Sequence, residues 1–397
     1  MIAPKSSPTV WLSTGTPLVL FVTLGLPAGA LGVAWPYMRA SLDAPLAGLG
    51  LLLAAHTAAY FVASASTGPL GTRLGTPVLL VGGCGLAAIG SLGLSLASTW
   101  WMVPAVSLLL GGGSGLIDAA ANAHTSLNRG VRFMGWLHAS WALGAALGPP
   151  VVVISLGATG SWRASFAAMA VVFLAIGLLV ASRRHDWVSK AAVVDARLPE
   201  TRSVPADYRR ALALLIGLLF VGAGLEATAG DWSYTQLTAG RSLSGGLASL
   251  GASLFWAGLA GGRVALGLLG NRATPVRLLD TSVGVATVAA LAFWLAPPLV
   301  SALIALPILG AAVSVIFPLL LSITPTRVGT AMTSHAVGYA LAAGVLGGGG
   351  LPALTGLVLQ SAGVLSLGPL LFVMAAGLAL LHVSSRFGTP AGSQPAG

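Results

Sequence analysis

Runs of about twenty apolar residues follow one another along almost the whole chain, and they restrict the folds that it can adopt. Among 397 residues, 56% are hydrophobic and only 7% are charged, whereas soluble proteins contain about 25% charged residues. So few polar side chains cannot cover a water-soluble globule of this size. Because Gly and Pro are also frequent in these runs, they predict transmembrane helices rather than barrel strands. The predicted fold class is therefore an all-α integral membrane protein.

The turn signals between the apolar runs predict twelve transmembrane helices. They cover residues 16–37, 46–67, 76–97, 102–126, 132–156, 164–182, 209–235, 244–268, 275–296, 299–321, 329–355 and 363–383. Of the 19 basic residues, all but Arg39, Arg163 and Arg241 fall on the side that carries the N-terminus. Cytoplasmic loops are enriched in Lys and Arg, so both termini are predicted in the cytoplasm, at a bacterial inner membrane. This distribution accounts for the net charge of +10 without a nucleic-acid partner.

One long polar segment, residues 182–210, lies near the middle of the chain and carries seven basic residues. We interpret it as a cytoplasmic linker, either a solvated tether or a segment in contact with anionic lipid headgroups. It predicts an N-terminal six-helix bundle (1–182), the linker proper (183–208) and a C-terminal six-helix bundle (209–397).

Two pairs of similar segments indicate that the bundles are related. "GPLGTRLGTPV" (68–78) is similar to "GLLGNRATPV" (267–276), 199 positions later, and "HASWALGAALG" (138–148) to "HAVGYALAAGVLG" (335–347), 197 positions later. Repeats at half the chain length are typical of a duplicated unit. The sequence thus predicts two pseudo-symmetric six-helix bundles, with a substrate site at the midplane where the repeats meet.

The repeated loops resemble those of the major facilitator superfamily. "GPLGTRLG" is similar to the family's loop between helices 2 and 3, and "GLLGNR" to its counterpart between helices 8 and 9. The resemblance implies that these loops latch one conformation through Gly68, Arg73, Gly267 and Arg272. The family's loop aspartate is replaced by Thr72 in the first copy and by Asn271 in the second. Without this aspartate, the latch is expected to depend on hydrogen bonds between neutral groups, or on contacts of Arg73 with the ends of helices.

A narrower resemblance concerns helices 4 and 7. "GLIDAAANAH" (115–124) and "GLEATAGDWSYTQL" (224–237) are similar to segments of the fucose permease-like branch of sugar–proton symporters. This resemblance implies that Asp118 handles the proton and that Asn122 is the adjacent polar residue. The branch's helix 1 carboxylate has no counterpart, because residues 24–38 contain no acid.

Asp280 lies near the end of a predicted span, and three acids lie deeper inside predicted spans, namely Asp118, Glu226 and Asp231. An acid at membrane depth costs about 2.5–3.5 kcal/mol, so it is expected to face the bundle interior or a wet cavity. A carboxyl group that can be neutral or charged suits a proton switch, and we take Asp118 and Glu226 as proton-coupling candidates. Asn122 lies four residues after Asp118, on the same helical face. The alternative for Asp118 is a hydrogen bond to a neighbouring helix; Asp231 could instead cap its helix or pair with Arg241.

Several polar and aromatic residues are candidates for binding a solute. Sugar sites combine a stacking aromatic ring with amide and carboxylate groups that bind hydroxyls. The candidates are Asn122, His138, Trp141, Trp232, Gln236, His335 and Tyr339. The alternatives are that Trp232 anchors the helix at the membrane interface, and that both histidines are packing residues. His56 is a further cavity candidate, and His124 is expected at the interface.

The remaining sequence features exclude several functions. The chain has one cysteine, Cys84, and we find no metal-ligand spacing, P-loop or nucleophile constellation. We therefore expect neither an enzyme nor a bound cofactor. The predicted function is secondary active transport by alternating access, as proton-coupled symport of a small polar solute such as a monosaccharide.

Other functions and partners stay open at this point. A proton-driven exporter of drugs or metabolites is the main alternative, supported by the G-x8-G-x3-G-P pattern in "GWLHASWALGAALGPP" (135–150). A receptor that kept the fold is a third possibility, against which the intramembrane acids argue. The expected partners are the solute, a proton or Na⁺, and membrane lipid, and the protein is expected to be a monomer.

Overall fold

The computed structural model describes residues 8–129, 131–187, 206–269, 273–328 and 333–386. In these ranges the regular structure is entirely helical, and twelve long helices follow one another. They are α1 (Pro8–Leu42), α2 (Gly48–Leu74), α3 (Thr76–Leu96), α4 (Met102–Asn128), α5 (Val131–Thr159), α6 (Arg163–Ser182), α7 (Ala206–Thr235), α8 (Gly245–Leu269), α9 (Pro275–Leu295), α10 (Pro298–Val328), α11 (Thr333–Ala362) and α12 (Leu367–Arg386). All but α8 are long and apolar enough to cross a membrane by length and composition. The predicted multi-pass, all-α architecture is confirmed.

Two of the helices contain irregular turns. α7 continues into a π-helical turn at Gln236–Gly240. α10 contains a similar turn at Ser301–Ala305 and a break at Val315. Such turns leave backbone groups without their regular helical partners, and they are frequent at functional sites.

The first repeated motif is helical, contrary to the prediction that helix 2 ends at residue 67. α2 continues through Pro69 and Arg73 to Leu74. The chain turns at Gly75, whose φ of 82° is readily adopted only by glycine. Pro77 then lies in the first turn of α3, where its missing N–H costs nothing.

The chain divides into two compact units. The first contains Met1–Ala44 and Ala55–Ala196, and the second contains Pro45–Ala54 and Arg197–Gly397. Within the second unit, the Ala47 N–H donates to Gln360 Oε1 at 2.9 Å. The predicted boundaries at residues 182 and 209 stay a prediction, and most of the predicted linker (188–205) lies outside the described residues.

Glycines allow close helix pairs in the first unit. A Cβ atom on Gly25 would lie 2.0 Å from the Trp141 carbonyl oxygen, so α1 and α5 are in backbone contact. A Cβ atom on Gly111 would lie 2.1 Å from the His56 carbonyl oxygen, so α2 and α4 approach as closely. Small residues at such positions stabilise membrane helix pairs by van der Waals packing.

The second unit repeats one of these contacts at the spacing of the sequence repeat. A Cβ atom on Gly310 of α10 would lie 2.1 Å from the Phe255 carbonyl oxygen of α8. Gly310 and Phe255 each lie 199 positions after Gly111 and His56. The duplicated framework therefore extends to individual backbone contacts.

Candidate functional site

Asp118 is the centre of a polar cluster in the first unit, between α2 and α4. The Tyr60 hydroxyl donates to Asp118 Oδ2 at 2.7 Å, and Asn122 Nδ2 donates to Asp118 Oδ1 at 3.1 Å. Each carboxylate oxygen therefore accepts one hydrogen bond. The spacing of Asp118 and Asn122 predicts this second contact, and the bond to Tyr60 is the interhelical contact named as the alternative for Asp118.

This arrangement fits the ionised carboxylate, because both neighbours donate to it. A protonated carboxyl keeps fewer acceptor sites and gains a donor. The Asn122 Oδ1 atom is buried and has no hydrogen-bond partner among the described residues. The Asn122 Oδ1 atom can therefore accept a hydrogen bond from Asp118 when the Asp118 carboxyl is protonated.

Sequence reasoning missed Tyr60. His56, Tyr60 and Ser64 lie four residues apart on α2, which places them on one face. That face packs on α4, where the Ser64 hydroxyl donates to the Gly115 carbonyl at 3.2 Å. The four-residue polar spacing on an otherwise apolar helix is the signal that could have found Tyr60.

The second unit contains an ion pair within the predicted membrane region. Arg263 Nη2 of α8 lies 3.7 Å from Glu226 Oε1 of α7, and the two side chains are 21% and 19% exposed. Arg263 was expected near the cytoplasmic surface from the distribution of basic residues. It lies six residues before the end of α8 and faces an acid instead. The pair compensates both charges, which lowers the cost of placing them in a membrane.

Asp231 has a different environment from the one considered in the sequence analysis. Its side chain is 8% exposed, and no hydrogen bond or ion pair joins it to any residue in the described ranges. Arg241, the considered partner, donates to the Ala296 carbonyl at 2.9 Å, the Ser301 hydroxyl at 2.8 Å and the Trp294 carbonyl. Partial burial lowers the pKa of the Arg241 guanidinium from its usual value. The pairing of Asp231 with Arg241, one of the alternatives left open by the sequence, is therefore not found among the described residues.

Trp232 and Gln236, two of the solute-binding candidates, are both buried in the second unit. The Trp232 ring is 0% exposed, its Nε1 donates to the Pro352 carbonyl at 2.9 Å, and it packs on Gly356 of α11. Gln236 is 1% exposed, and neither polar atom of its amide has a partner in the described part of the chain. Trp232 thus contributes to helix packing, whereas the Gln236 amide keeps its hydrogen-bonding capacity.

The remaining solute-binding candidates lie on α5 in the first unit and on α11 in the second. His138 is partly buried and its ring contacts Phe21 edge-on, with centroids 5.9 Å apart. Trp141 is also partly buried on α5, and Tyr339 on α11 is 50% exposed. The side chain of His335 lies outside the described residues.

The described loop residues expected to form the latch lie near helix ends, and His56 and His124 contact aromatic rings. Gly68 and Arg73 are exposed on the last turns of α2, and Gly267 is exposed near the end of α8; Arg272 and Asn271 lie outside the described residues. The His56 ring stacks with Tyr60 at 6.5 Å, and the His124 ring contacts Trp187 at 5.0 Å.

Solved structures with the same fold are membrane transporters. The nucleoside transporter NupG superimposes with a TM-score of 0.75 at 14% identity, covering 95% of this chain and 99% of that one. The Escherichia coli fucose:proton symporter FucP gives a TM-score of 0.63 at 16% identity, covering 95% and 98%. At these identities the likeness shows the fold alone.

Sequence relatives match parts of the chain. "Bypass of stop codon protein 6" of Saccharomyces cerevisiae is 24% identical over 294 residues, 68% of this chain. The class B tetracycline resistance protein of Escherichia coli is 32% identical over 148 residues, 35% of this chain. The matches span 59% and 36% of the lengths of these two relatives.

The sequence model of the Major Facilitator Superfamily matches residues 18–352. This match covers most of both units, and it agrees with the two repeated loops and with the fold of the structural relatives. The family match agrees with the expectation of a transporter rather than an enzyme. The protein belongs to the Major Facilitator Superfamily of transporters.

Proposed function

We propose that the protein is a secondary active transporter that imports a small polar solute together with a proton. It works by alternating access, as a monomer in a bacterial cytoplasmic membrane with both termini in the cytoplasm. The observation that carries the proposal is the Asp118 cluster, in which a carboxylate within the membrane region accepts one hydrogen bond from α2 and one from α4.

Proton binding at Asp118 changes its contact with Asn122, which lies one turn further along α4. The protonated carboxyl carries an O–H, so one of its two oxygens becomes a donor. Rotation of the Asn122 amide presents its unpartnered Oδ1 to that O–H and turns Nδ2 away. The proton thus replaces a charged acceptor by a neutral group and frees an amide donor for the solute.

Glu226 is the second proton candidate, because its carboxylate faces Arg263 across α7 and α8. A proton on Glu226 removes the ion pair and leaves the guanidinium to another acceptor. The Gln236 amide, buried without partners among the described residues, offers both a donor and an acceptor to a polyhydroxylated solute. Fucose and nucleosides, for which two structural relatives are named, both carry several hydroxyl groups and are therefore the first solutes to test.

The test is proton flux in liposomes that contain the purified protein and an internal pH dye. A panel of sugars and nucleosides is added outside, and acidification identifies the co-transported solute. Asp118→Asn is expected to abolish accumulation driven by a pH gradient while solute exchange persists. Asp186→Asn, which changes an exposed acid in a short turn after α6, is the matched control and keeps accumulation. Full accumulation by Asp118→Asn would contradict the proposal.

A second candidate is proton-driven export. The observation in its favour is the 32% identity to the tetracycline resistance protein over 148 residues. In the same liposomes an exporter gives proton flux with cationic drugs and none with any sugar or nucleoside. That result would replace symport by antiport.

A further inference from the structure

One face of α7 carries polar residues toward α11. Thr228, Asp231 and Thr235 lie three and four residues apart, which places them on the same side of the helix. Gly224 lies on this side as well, and a Cβ atom there would meet the Leu351 side chain of α11. The three polar side chains therefore follow the α11-facing side of α7.

The register of the two helices places a fourth polar residue in this row. Phe220 meets Gly347, and Gly224 meets Leu351, so both contacts join residues 127 positions apart. One further turn along both helices gives Thr228 and Thr355. The Thr355 hydroxyl thus lies at the level of Thr228, with Asp231 one turn further along α7.

The side-chain oxygen atoms of these four residues are buried, and they make no hydrogen bonds within the described part of the chain. Thr228, Thr355, Thr235 and Asp231 are only 0%, 2%, 3% and 8% exposed. The three hydroxyls have no hydrogen-bond partner among the described residues, and Asp231 has none either.

Other helical threonines of this protein behave differently. The hydroxyls of Thr23, Thr67 and Thr324 each donate to the carbonyl four residues earlier, at 2.9–3.0 Å. Helical threonines commonly satisfy their hydroxyls in this way. The hydroxyls of Thr228 and Thr355 make no such bond within the described part of the chain, so neither is held by its own helix and each can turn its lone pairs toward a ligand.

A backbone oxygen adds to the same region. Pro352 has no N–H, so the Gly348 carbonyl lacks the donor that normally closes this turn of α11. Gly348 faces α7, since a Cβ atom there would lie 4.0 Å from the Ala223 carbonyl oxygen. One carboxylate and several neutral oxygens therefore lie on successive turns of the α7–α11 contact.

We propose that Asp231, Thr228 and Thr355 form a binding site for Na⁺. Alkali and other hard cations prefer oxygen ligands, and irregular membrane helices supply such carbonyls to Na⁺ in other transporters. A single carboxylate neutralises a monovalent ion, whereas a divalent ion would keep a net charge in a buried site. The described residues contain no group of three His, Cys, Asp or Glu that could hold a transition metal. The site is separate from Asp118, so it goes beyond the proposed proton step.

The test measures binding of ²²Na⁺ to the purified full-length protein in detergent, with choline chloride holding the ionic strength constant. The wild type is expected to bind one ion per chain, with unlabelled Na⁺ competing and choline failing to compete. Asp231→Asn is expected to lower the affinity at least a hundredfold, and Thr355→Val about tenfold. Thr238→Val is the matched control, because Thr238 lies about two turns beyond Asp231 in the π-helical turn and its hydroxyl is held by the Tyr234 carbonyl at 2.8 Å, and it keeps the wild-type affinity.

Folding and site identity are controlled separately. Each variant is compared by size-exclusion profile, and Thr355→Val provides an uncharged, isosteric second test if Asp231→Asn is not monodisperse. Asp118→Asn is expected to bind Na⁺ like the wild type. Absence of saturable binding in the wild type, or unchanged binding in both site variants, would overturn the site. A loss in Asp118→Asn alone would overturn it too, because the ion would then be bound in the first unit.

Discussion

The two units share a framework and differ in the polar residues that it holds. Gly111 against His56 in the first unit and Gly310 against Phe255 in the second form the same backbone contact. The residues around this contact are not conserved between the copies. The positions 199 residues after Tyr60, Ser64 and Asp118 are occupied by Leu259, Arg263 and Phe317. The helix contacts were therefore duplicated, whereas the ionisable groups were placed separately in each unit.

The helices α1 and α7 also share glycine contacts and differ in their acidic residues. "GLPAGALG" (25–32) and "GLEATAGD" (224–231) align at the spacing of the repeat, and both begin with a glycine that contacts a neighbouring helix. Pro27 and Gly32 of α1 correspond to Glu226 and Asp231 of α7. The second unit thus carries Glu226 and Asp231 on the helix whose counterpart in the first unit is free of acid, and the first unit carries Asp118 on α4. Asp118 and Glu226 each contact polar side chains of their own unit, which lowers the cost of a charge in the membrane region.

The largest expected effect comes from separating the charges of the second unit. Glu226→Gln removes the negative charge that faces the Arg263 guanidinium, and we expect a loss of about 2–3 kcal/mol in stability, less than for fully buried pairs because both side chains are partly exposed. Arg263→Gln is expected to cost less, because a carboxyl can be neutralised by a proton and a guanidinium cannot. The measurement is thermal unfolding of the purified variants.

The first unit supplies the control for this experiment. Ser64→Ala changes the position equivalent to Arg263 and removes one hydrogen bond, which is worth about 1 kcal/mol. The double variant Glu226→Gln/Arg263→Gln is expected to recover much of the stability lost in Glu226→Gln. Equal losses in the two single variants and no recovery in the double variant would show that the ion pair does not stabilise the second unit.

The shared framework is tested by adding one methyl group at equivalent positions. Gly111→Ala and Gly310→Ala each place a Cβ atom 2.1 Å from a backbone oxygen, and overpacking of this kind costs about 2 kcal/mol. Gly112→Ala and Gly261→Ala are matched controls on the same two packed helix pairs, because no described atom lies within 4 Å of their added Cβ atoms. The two losses, measured by thermal unfolding, should be similar. A large loss in one unit only would contradict a framework duplicated at this level.

The α2–α4 contact of the first unit is tested through Tyr60→Phe, which removes the hydroxyl that donates to Asp118. A hydrogen bond to a charged group is worth about 1.5–3 kcal/mol, so solute uptake driven by a pH gradient is expected to fall about tenfold or more. Ser66→Ala on the same helix is the control, because the Ser66 hydroxyl bonds only to its own helix through the Val62 carbonyl at 2.7 Å. Wild-type uptake by Tyr60→Phe would show that the proton step does not involve α2.

The sequence predicted what depends on spacing along one helix. Apolar runs predicted the helices, and the four-residue spacing of Asp118 and Asn122 predicted their contact, because helix geometry alone determines both. Tyr60 could not be predicted as the partner of Asp118, since that contact depends on the pairing of α2 with α4. The ion pair of Arg263 with Glu226 could not be predicted either, because the distribution of basic residues indicates which side of the membrane a loop faces and does not show which helices pair.

The smallest expected effect concerns Trp232, for which the sequence left a solute platform and an interfacial anchor open. Its buried ring donates to the Pro352 carbonyl and packs on Gly356, so Trp232→Phe removes one hydrogen bond and little volume. We expect a loss of about 1 kcal/mol in stability and a solute affinity within twofold of the wild type. The two quantities are measured on one preparation, by thermal unfolding and by solute binding. A tenfold loss of affinity at unchanged stability would instead make Trp232 part of the solute site, because a ring that only packs helices cannot change affinity without changing stability.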